Sequence, residues 1–235
     1  MSNDSPSPDA QRKSTVNLVR SSHPWTEADS AAGFVLRYLA PMRRQLTSML
    51  GSTEQADEAL KLLLAHLVSA GFGDHKQGRL RDFLLRGIRS AAKSTVNEMP
   101  KEKRPTLNMD GVTLESKEWL SYWRDGILER AWRALERKEH AEPDPPVYSV
   151  LHCATANPQA TAAMLVVQIA SDTGIKIDQP AVEKILPESR ALFAQLVADE
   201  VAETLEKPSG ADVKREISLL GLGKAFNGVA LVAEN

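Results

Sequence analysis

Apolar residues recur every three to four positions over long stretches of this chain, which is the period of an α-helix. Between Ser30 and Leu50 every fourth position is apolar: Phe34, Tyr38, Met42, Leu46 and Leu50. Gly51-Ser52 interrupts this stripe, and a second, more apolar helix is predicted from Gln55 to Val68. No segment shows the strict alternation of a β-strand. The pattern therefore predicts an all-α protein.

A third helix is predicted from Gly78 to Glu98, after a glycine-rich loop and before Pro100. At about 100° per residue, one side of this helix is largely apolar and is formed by Leu84, Ile88, Ala91, Ala92 and Thr95. The opposite side is basic, with Arg86, Arg89 and Lys93. Such a helix packs onto a domain through its apolar side and offers its basic side to an anionic partner. A solvated charged face is the alternative interpretation.

The second half of the chain shows the same helical period. Residues 100–116 are typical of a flexible connector, and Glu118 to Glu139 forms a strong predicted helix. Its buried side is expected to hold Leu120, Trp123, Ile127, Ala131 and Leu135. Two further helices are predicted at 147–155 and 161–172. A long helix should then run to Glu206, with Asp178 as N-cap and Pro180 in its first turn.

These elements predict two helical units with a hinge between them. The N-terminal residues are rich in serine, proline and charge, so they are expected to be disordered, and they lack the apolar core of a signal peptide. The predicted boundaries are a tail at 1–28, a helical domain at 29–99, a linker and connecting helix at 100–146, a second domain at 147–207, and a C-terminal tail with a short helix at 208–235.

The net charge of −2 hides an uneven distribution along the chain. Residues 76–104 carry nine basic side chains against three acidic ones, a local balance of +6. Residues 147–206 carry three basic against eight acidic ones, a balance of −5. The two halves of the chain should therefore prefer different partners.

Several classes of site are not expected from the sequence. The single cysteine, Cys153, cannot form an internal disulfide, and with His152 alone it makes no zinc site. The glycine pairs at 71–73 and 221–223 do not fit a phosphate-binding loop and are interpreted as turns. No nucleophile–base pair stands out, so neither enzymatic activity nor a cofactor is predicted. No apolar run approaches the ~20 residues of a membrane span, and a cytoplasmic protein is expected.

Four segments, in order, resemble motifs of the extracytoplasmic-function sigma factors of RNA polymerase. QADEALKLLLAHLV, residues 55–68, resembles the family's polymerase-binding helix. GRLRDFLLRGIRSAA, residues 78–92, resembles the next segment, which in the family melts and reads promoter DNA. Residues 118–132 and 192–205 resemble helices of the divergent sigma-like proteins of planctomycete bacteria.

The resemblance implies a region 2-like helical bundle, a connecting helix and a region 4-like helix-turn-helix. It also implies a sigma-like transcription initiation factor that binds core RNA polymerase and promoter DNA. An anti-sigma or other regulatory protein would be a further partner. The implied polymerase-binding residues are Asp57, Glu58, Lys61, Leu62 and Ala65. The DNA-binding residues expected from the basic helix and the resemblance together are Arg79, Arg81, Phe83, Arg86, Arg89 and Lys93.

Three departures from the family pattern keep other interpretations open. Lys61-Leu62 replaces a Gln-Glu pair, Pro187 falls within the expected recognition helix, and that unit is acidic where phosphate contact calls for basic residues. One alternative is a sigma-derived protein-interaction adaptor without promoter recognition. Another is that the acidic half masks the basic half. Phe83 either stacks on an unpaired base or belongs to the core.

Overall fold

Helices make up most of the computed structural model, which describes residues 14–20, 23–73, 77–107 and 112–232. Two three-residue strands, β1 (Thr15–Asn17) and β2 (Ala230–Val232), are the β-structure of the described chain. The prediction of an all-α protein is confirmed. The helices are α1 (Ala31–Val35), α2 (Leu39–Leu50), α3 (Thr53–Ala70), α4 (Leu80–Glu98), α5 (Lys117–Ala141), α6 (Val147–Ala156), α7 (Ala162–Thr173), α8 (Gln179–Glu203) and α9 (Gly210–Leu219).

The first predicted helix is divided in the structure, and this is a correction. Residues 31–50 form α1, a 3-10 turn at Leu36–Tyr38, and α2. The reason is Pro41, which has no N–H to donate and clashes with the preceding turn inside a helix. When α2 begins at Leu39, Pro41 lies in the first turn, where N–H groups have no intrahelical partner. The apolar stripe survives the break, with Tyr38, Met42 and Leu46 fully buried.

Helices α2, α3 and α4 pack against one another and form the N-terminal group. Gly51 lies between α2 and α3 with φ of 72°, a left-handed conformation that favours glycine. Ser52 then caps α3 by accepting a hydrogen bond from the backbone N–H of Gln55 at 3.4 Å. A turn and a cap in adjacent residues explain why the chain reverses there.

Helix α5 lies between the N-terminal group and a C-terminal group that consists of α6, α7, α8 and α9. It packs against α2 on one side and against α6 and α8 on the other. The ring of Trp123 stacks on Tyr38 with 4.7 Å between centroids. A Cβ atom at Gly126 would lie 3.1 Å from Pro41 Cγ, so α5 and α2 are in close contact. The buried side chains of both groups form one continuous core, and the two units expected from sequence therefore share packing along α5.

The C-terminal group follows the predicted helices closely. Asp178 accepts a hydrogen bond from the N–H of Ala181 at 2.9 Å and caps α8, with Pro180 in the first turn. The helix continues through Pro187 to Glu203, so this proline does not end it. Helices α6, α7 and α9 all pack against α8.

The chain ends differ from the expected tails. Residues 1–13 and 233–235 lie outside the described residues. Next to them, β1 pairs with β2 in parallel. The backbone N–H of Asn17 donates to the side chain of Gln195 on α8, and the Asn17 carbonyl accepts from the same side chain. Val16, Leu18 and Trp25 are buried in the core. The prediction of disorder is therefore wrong for residues 14–20 and 23–28, because these three side chains bury enough apolar surface to hold the segment.

Replacing Trp123 tests whether α5 is the centre of the shared core. We expect Trp123→Ala to reduce the free energy of unfolding by about 3–5 kcal/mol, because it leaves a cavity beside Tyr38 and Trp119. Urea unfolding followed by far-ultraviolet circular dichroism measures this change. Arg137→Ala, an exposed site on the same helix, should change it by at most about 0.5 kcal/mol. Similar values for the two variants would contradict this packing.

Candidate nucleic-acid interface

Helix α4 has the two-sided character that its sequence predicts. Leu84, Ile88, Ala91, Ala92 and Thr95 are all buried against the core. On the other side Arg86 and Lys93 are exposed and Arg89 is half-buried. Within the described chain, none of these three cations has a hydrogen-bond or ion-pair partner. We call Arg86, Arg89 and Lys93 the free basic face of α4.

Arg81 behaves differently, which corrects its assignment to the DNA-contacting surface. Its side chain is 1% exposed, and its Nε donates to Glu216 Oε1 at 2.6 Å. Its Nη1 donates to Asp82 Oδ1 at 2.7 Å and to the carbonyl of Leu114 at 2.8 Å. Glu216 lies on α9 and is itself buried. Arg81 therefore neutralises a buried carboxylate and has no free surface for phosphate.

Arg79 shares this carboxylate. Its Nε lies 3.1 Å from Glu216 Oε2, and its side chain is 30% exposed. Asp82 completes the cluster, and burial raises the pKa of Asp82 even though Arg81 and Arg79 oppose that shift. We call Arg79, Arg81, Asp82 and Glu216 the α4–α9 ion cluster. It takes two of the five basic residues expected at the DNA surface.

Backbone hydrogen bonds attach the start of α4 to the end of α8. The N–H of Leu80 donates to the carbonyl of Thr204 at 2.9 Å, and the N–H of Glu206 donates to the carbonyl of Gly78 at 3.0 Å. The Glu206 carboxylate also accepts from the N–H of Gly78 at 2.6 Å. The free basic face thus belongs to a helix whose N-terminal end is held by the C-terminal group.

Phe83 lies in an aromatic cluster. Its ring centroid is 5.3 Å from that of Trp25 and 5.5 Å from that of Phe72, and Trp25 is fully buried. Of the two interpretations given above, the packing role is the one with visible partners in this structure. Because Phe83 is only half-buried, one edge also reaches the groove described below.

The residues expected to bind polymerase lie on the outer side of α3. Glu58, Lys61, Leu62 and Ala65 are exposed, and Lys61 pairs with Glu58 at 2.6 Å. Asp57 is less free, because its carboxylate accepts two hydrogen bonds from Arg43 of α2 at 2.6 and 2.8 Å. The structure extends this surface by one residue that sequence reasoning missed. Val68 is 74% exposed, and its spacing of three residues from Ala65 and seven from Lys61 is the signal that could have found it.

We call Glu58, Lys61, Leu62, Ala65 and Val68 the exposed α3 face. It contains two large apolar side chains, since Leu62 is 41% exposed and Val68 is 74% exposed. This side of α3 therefore exposes two large apolar side chains to solvent beside the Glu58–Lys61 ion pair.

A groove between α3 and α4 brings the two predicted sets of residues together. It has a volume of about 1290 Å³, and its walls include Leu62 and His66 of α3 and Phe83 and Arg86 of α4. The helices approach closely at its floor, where a Cβ atom on Gly87 would lie 2.8 Å from Leu63 Cδ1. Leu62 of the exposed α3 face and Arg86 of the free basic face both line this groove, together with the acidic Asp82, Glu98 and Glu206.

A second buried ion cluster lies on α8. Glu200 accepts hydrogen bonds from Tyr38 at 2.5 Å, from Arg37 at 3.2 Å and from Arg130. Burial, followed by the charge of Glu200, raises the pKa of Tyr38 well above its usual value, so its hydroxyl stays protonated as a donor. Arg37 also pairs with Glu203. Part of the negative charge counted in the second half is thus neutralised inside the protein.

No known protein family, curated protein or solved structure matches this chain. The likeness to extracytoplasmic-function sigma factors therefore stays a prediction from four short segments. Within the described ranges, no helix combines the length and the apolar character needed to cross a membrane. Across the same residues, no group of three or more His, Cys, Asp or Glu side chains is arranged to hold a metal ion.

The α4–α9 ion cluster makes a prediction about stability. Glu216→Gln should reduce the free energy of unfolding by about 1–3 kcal/mol, because it removes one of the two carboxylates that compensate the buried Arg81 guanidinium and leaves only Asp82. Urea unfolding measures the change. Glu129→Gln is the matched control, because its partner Arg133 lies one turn away on the surface of α5, and about 0.5 kcal/mol is expected there. Equal effects at the two sites would show that Glu216 does not hold a buried charge.

Proposed function

We propose that this protein is a sigma-like transcription initiation factor that joins core RNA polymerase and holds promoter DNA. The observation that carries the proposal is the free basic face of α4. Its three cations have no partner in the described chain, whereas the neighbouring Arg79 and Arg81 are paired within the α4–α9 ion cluster. Cations that the fold leaves unpaired on a well-anchored helix are available to an external polyanion.

The spacing of these cations suits a nucleic-acid backbone. Arg86 and Lys93 are seven residues apart, which is about 10 Å along a helix axis. One strand of B-form DNA carries about three phosphates over that length. The opposite side of α4 is buried, so the helix presents these charges from a fixed support. Phosphate contact from a rigid element positions DNA without specifying its sequence.

The exposed α3 face supports the second half of the proposal. It combines apolar Leu62 and Val68 with the Glu58–Lys61 ion pair. Protein interfaces combine apolar and charged residues, and this face contains both kinds. Since the groove joins this face to Arg86, a protein bound at α3 and DNA bound at α4 would be neighbours. A polymerase-associated DNA-binding factor needs that arrangement.

Charge reversal tests the DNA surface. Replacing Arg86, Arg89 and Lys93 together with Glu should abolish binding to promoter-like duplex and melted DNA. Three phosphate contacts should give the unmodified protein a slope of about −2 to −3 in log affinity against log salt concentration, because binding releases counterions. Fluorescence anisotropy over a salt series measures both quantities.

The control variant replaces three exposed lysines elsewhere with Glu and so makes the same change in net charge. These are Lys176, Lys184 and Lys214, which have no hydrogen-bond or ion-pair partner in the described chain. The control variant should retain most of the affinity and the salt slope. Equal loss in the two triple variants would mean that only net charge matters. If the unmodified protein shows no salt-sensitive DNA binding, either alone or with core polymerase, the proposed role fails.

Polymerase binding is tested on the exposed α3 face. Leu62→Glu together with Val68→Glu should weaken binding to purified core RNA polymerase by about tenfold or more, because two charges would be buried in an apolar contact. Met164→Glu with Val167→Glu is the matched control, since these residues are similarly exposed on α7. Surface-immobilised polymerase provides the measurement. Equal weakening by both double variants would exclude α3 as the docking helix.

A sigma-derived adaptor without promoter recognition is the second candidate. The observation that favours it is the withdrawal of Arg79 and Arg81 into the α4–α9 ion cluster, which leaves fewer cations for DNA than the sequence suggests. In vitro transcription with purified core polymerase separates the two. Promoter-dependent transcripts support the initiation factor. Polymerase binding without DNA binding or transcripts supports the adaptor.

A further inference from the structure

A pocket of about 710 Å³ lies in the C-terminal group, away from α3 and α4. Four elements line it: α5, α6, α8, and the turn from Gly221 to Asn227 that contains a 3-10 helix. The turn includes the glycine pair at 221–223 that the sequence analysis interprets as a turn, with Gly221 at φ of 67°. Neither the free basic face nor the exposed α3 face contributes a residue to it.

The interior of this pocket is apolar and partly aromatic. Trp132 and Phe193 form one wall, with ring centroids 4.4 Å apart. Leu151 and Leu222 are buried below them, and Leu128 completes the apolar lining. Trp132 is half-buried, so its ring remains accessible from the pocket.

The charged residues at the pocket are all basic. Arg190 and Lys224 line it, are exposed, and have no ion-pair or hydrogen-bond partner in the described part of the chain. Arg124 is a third cation, already in contact with Ser121 and Asp125. None of the lining residues is acidic. This is notable because the surrounding residues 147–206 are acidic overall.

We propose that this pocket binds a small amphiphilic anion, with its apolar body against Trp132 and Phe193 and its carboxylate or phosphate at Arg190 and Lys224. The volume lies within the range of about 300–1,000 Å³ that is usual for small-ligand sites. Apolar walls supply affinity through burial, and the two unpaired cations in the lining attract and orient the charged group. A neutral ligand would offer no negative charge to Arg190 and Lys224, so it would gain nothing from these two cations.

The four tryptophans provide a direct readout. Trp25, Trp119 and Trp123 are fully buried, so a small quencher in the pocket contacts Trp132 alone. The probes are ω-bromoundecanoate and para-bromobenzoate, whose bromine quenches indole fluorescence on contact. They separate an alkyl from an aryl ligand body. The matched neutral probe is ω-bromoundecanol, which has the same chain without the charge.

We expect saturable quenching by at least one of the two anions, with an apparent Kd below about 1 mM, and at least about tenfold weaker quenching by the alcohol. Arg190→Glu with Lys224→Glu should raise the Kd of the anion about tenfold or more. Arg190→Gln with Lys224→Gln should give a smaller increase. The control, Lys184→Glu with Lys214→Glu, makes the same change in net charge away from the pocket and should leave the Kd unchanged.

Three results would overturn the proposal. They are no saturable quenching by either anion, equal quenching by the acid and the alcohol, and an unchanged Kd in the Arg190→Glu, Lys224→Glu variant. Circular dichroism checks that each variant keeps its helix content, so that a change in Kd is measured on folded protein. Because no residue of the DNA or polymerase surfaces is altered, failure here leaves the proposed function untouched, and the converse also holds.

Discussion

The buried Arg81–Glu216 ion pair is the interaction on which the candidate site most depends. A buried carboxylate has to be compensated, and here the compensation comes from two arginines at the start of α4. This connects α4 to α9, buries Arg81 and pairs the half-buried Arg79 with the same carboxylate. The remaining cations, Arg86, Arg89 and Lys93, lie further along the helix. None of them forms a hydrogen bond or an ion pair within the described chain, although Arg86 acts on the Asp82 carboxylate through its charge. The ion pair therefore decides which part of a basic helix is available to a partner.

Charge compensation between the two ends of the chain recurs elsewhere in the fold. Glu200 and Glu203 of α8 are neutralised by Arg37, and Asp199 by Arg20, both from the N-terminal part of the chain. Together with the packing of α5 against both groups, these pairs connect the two units through side chains. A local surplus of charge in the sequence is thus a poor guide to the surface potential, since part of it is consumed internally. The cations that remain unpaired, on α4 and at the pocket of Trp132, are the ones available to an external partner.

Much of the helical architecture was predictable because it depends on local physics. Periodicity and caps placed α3, α4 and α5 to within a few residues, and Asp178 was identified as the cap of α8. The sequence-based predictions were wrong where the structure of a segment depends on contacts with residues far away in the chain. The strand pair β1–β2 needs both chain ends to meet, and the burial of Val16 and Trp25 needs the core that they join. The division of α1 from α2 was an exception, because Pro41 is visible in the sequence.

The sequence by itself determined the all-α class, the two-sided nature of α4 and the exposed positions on α3, because helix period and side-chain polarity are properties of neighbouring residues. Only the tertiary structure decided which cations stay free, since Glu216 lies 135 positions from Arg81. It also decided that the α3 and α4 surfaces meet in one groove, and that Trp132, Arg190 and Lys224 line one pocket. Such juxtapositions arise from packing between helices that are far apart in the chain, and no local pattern encodes them.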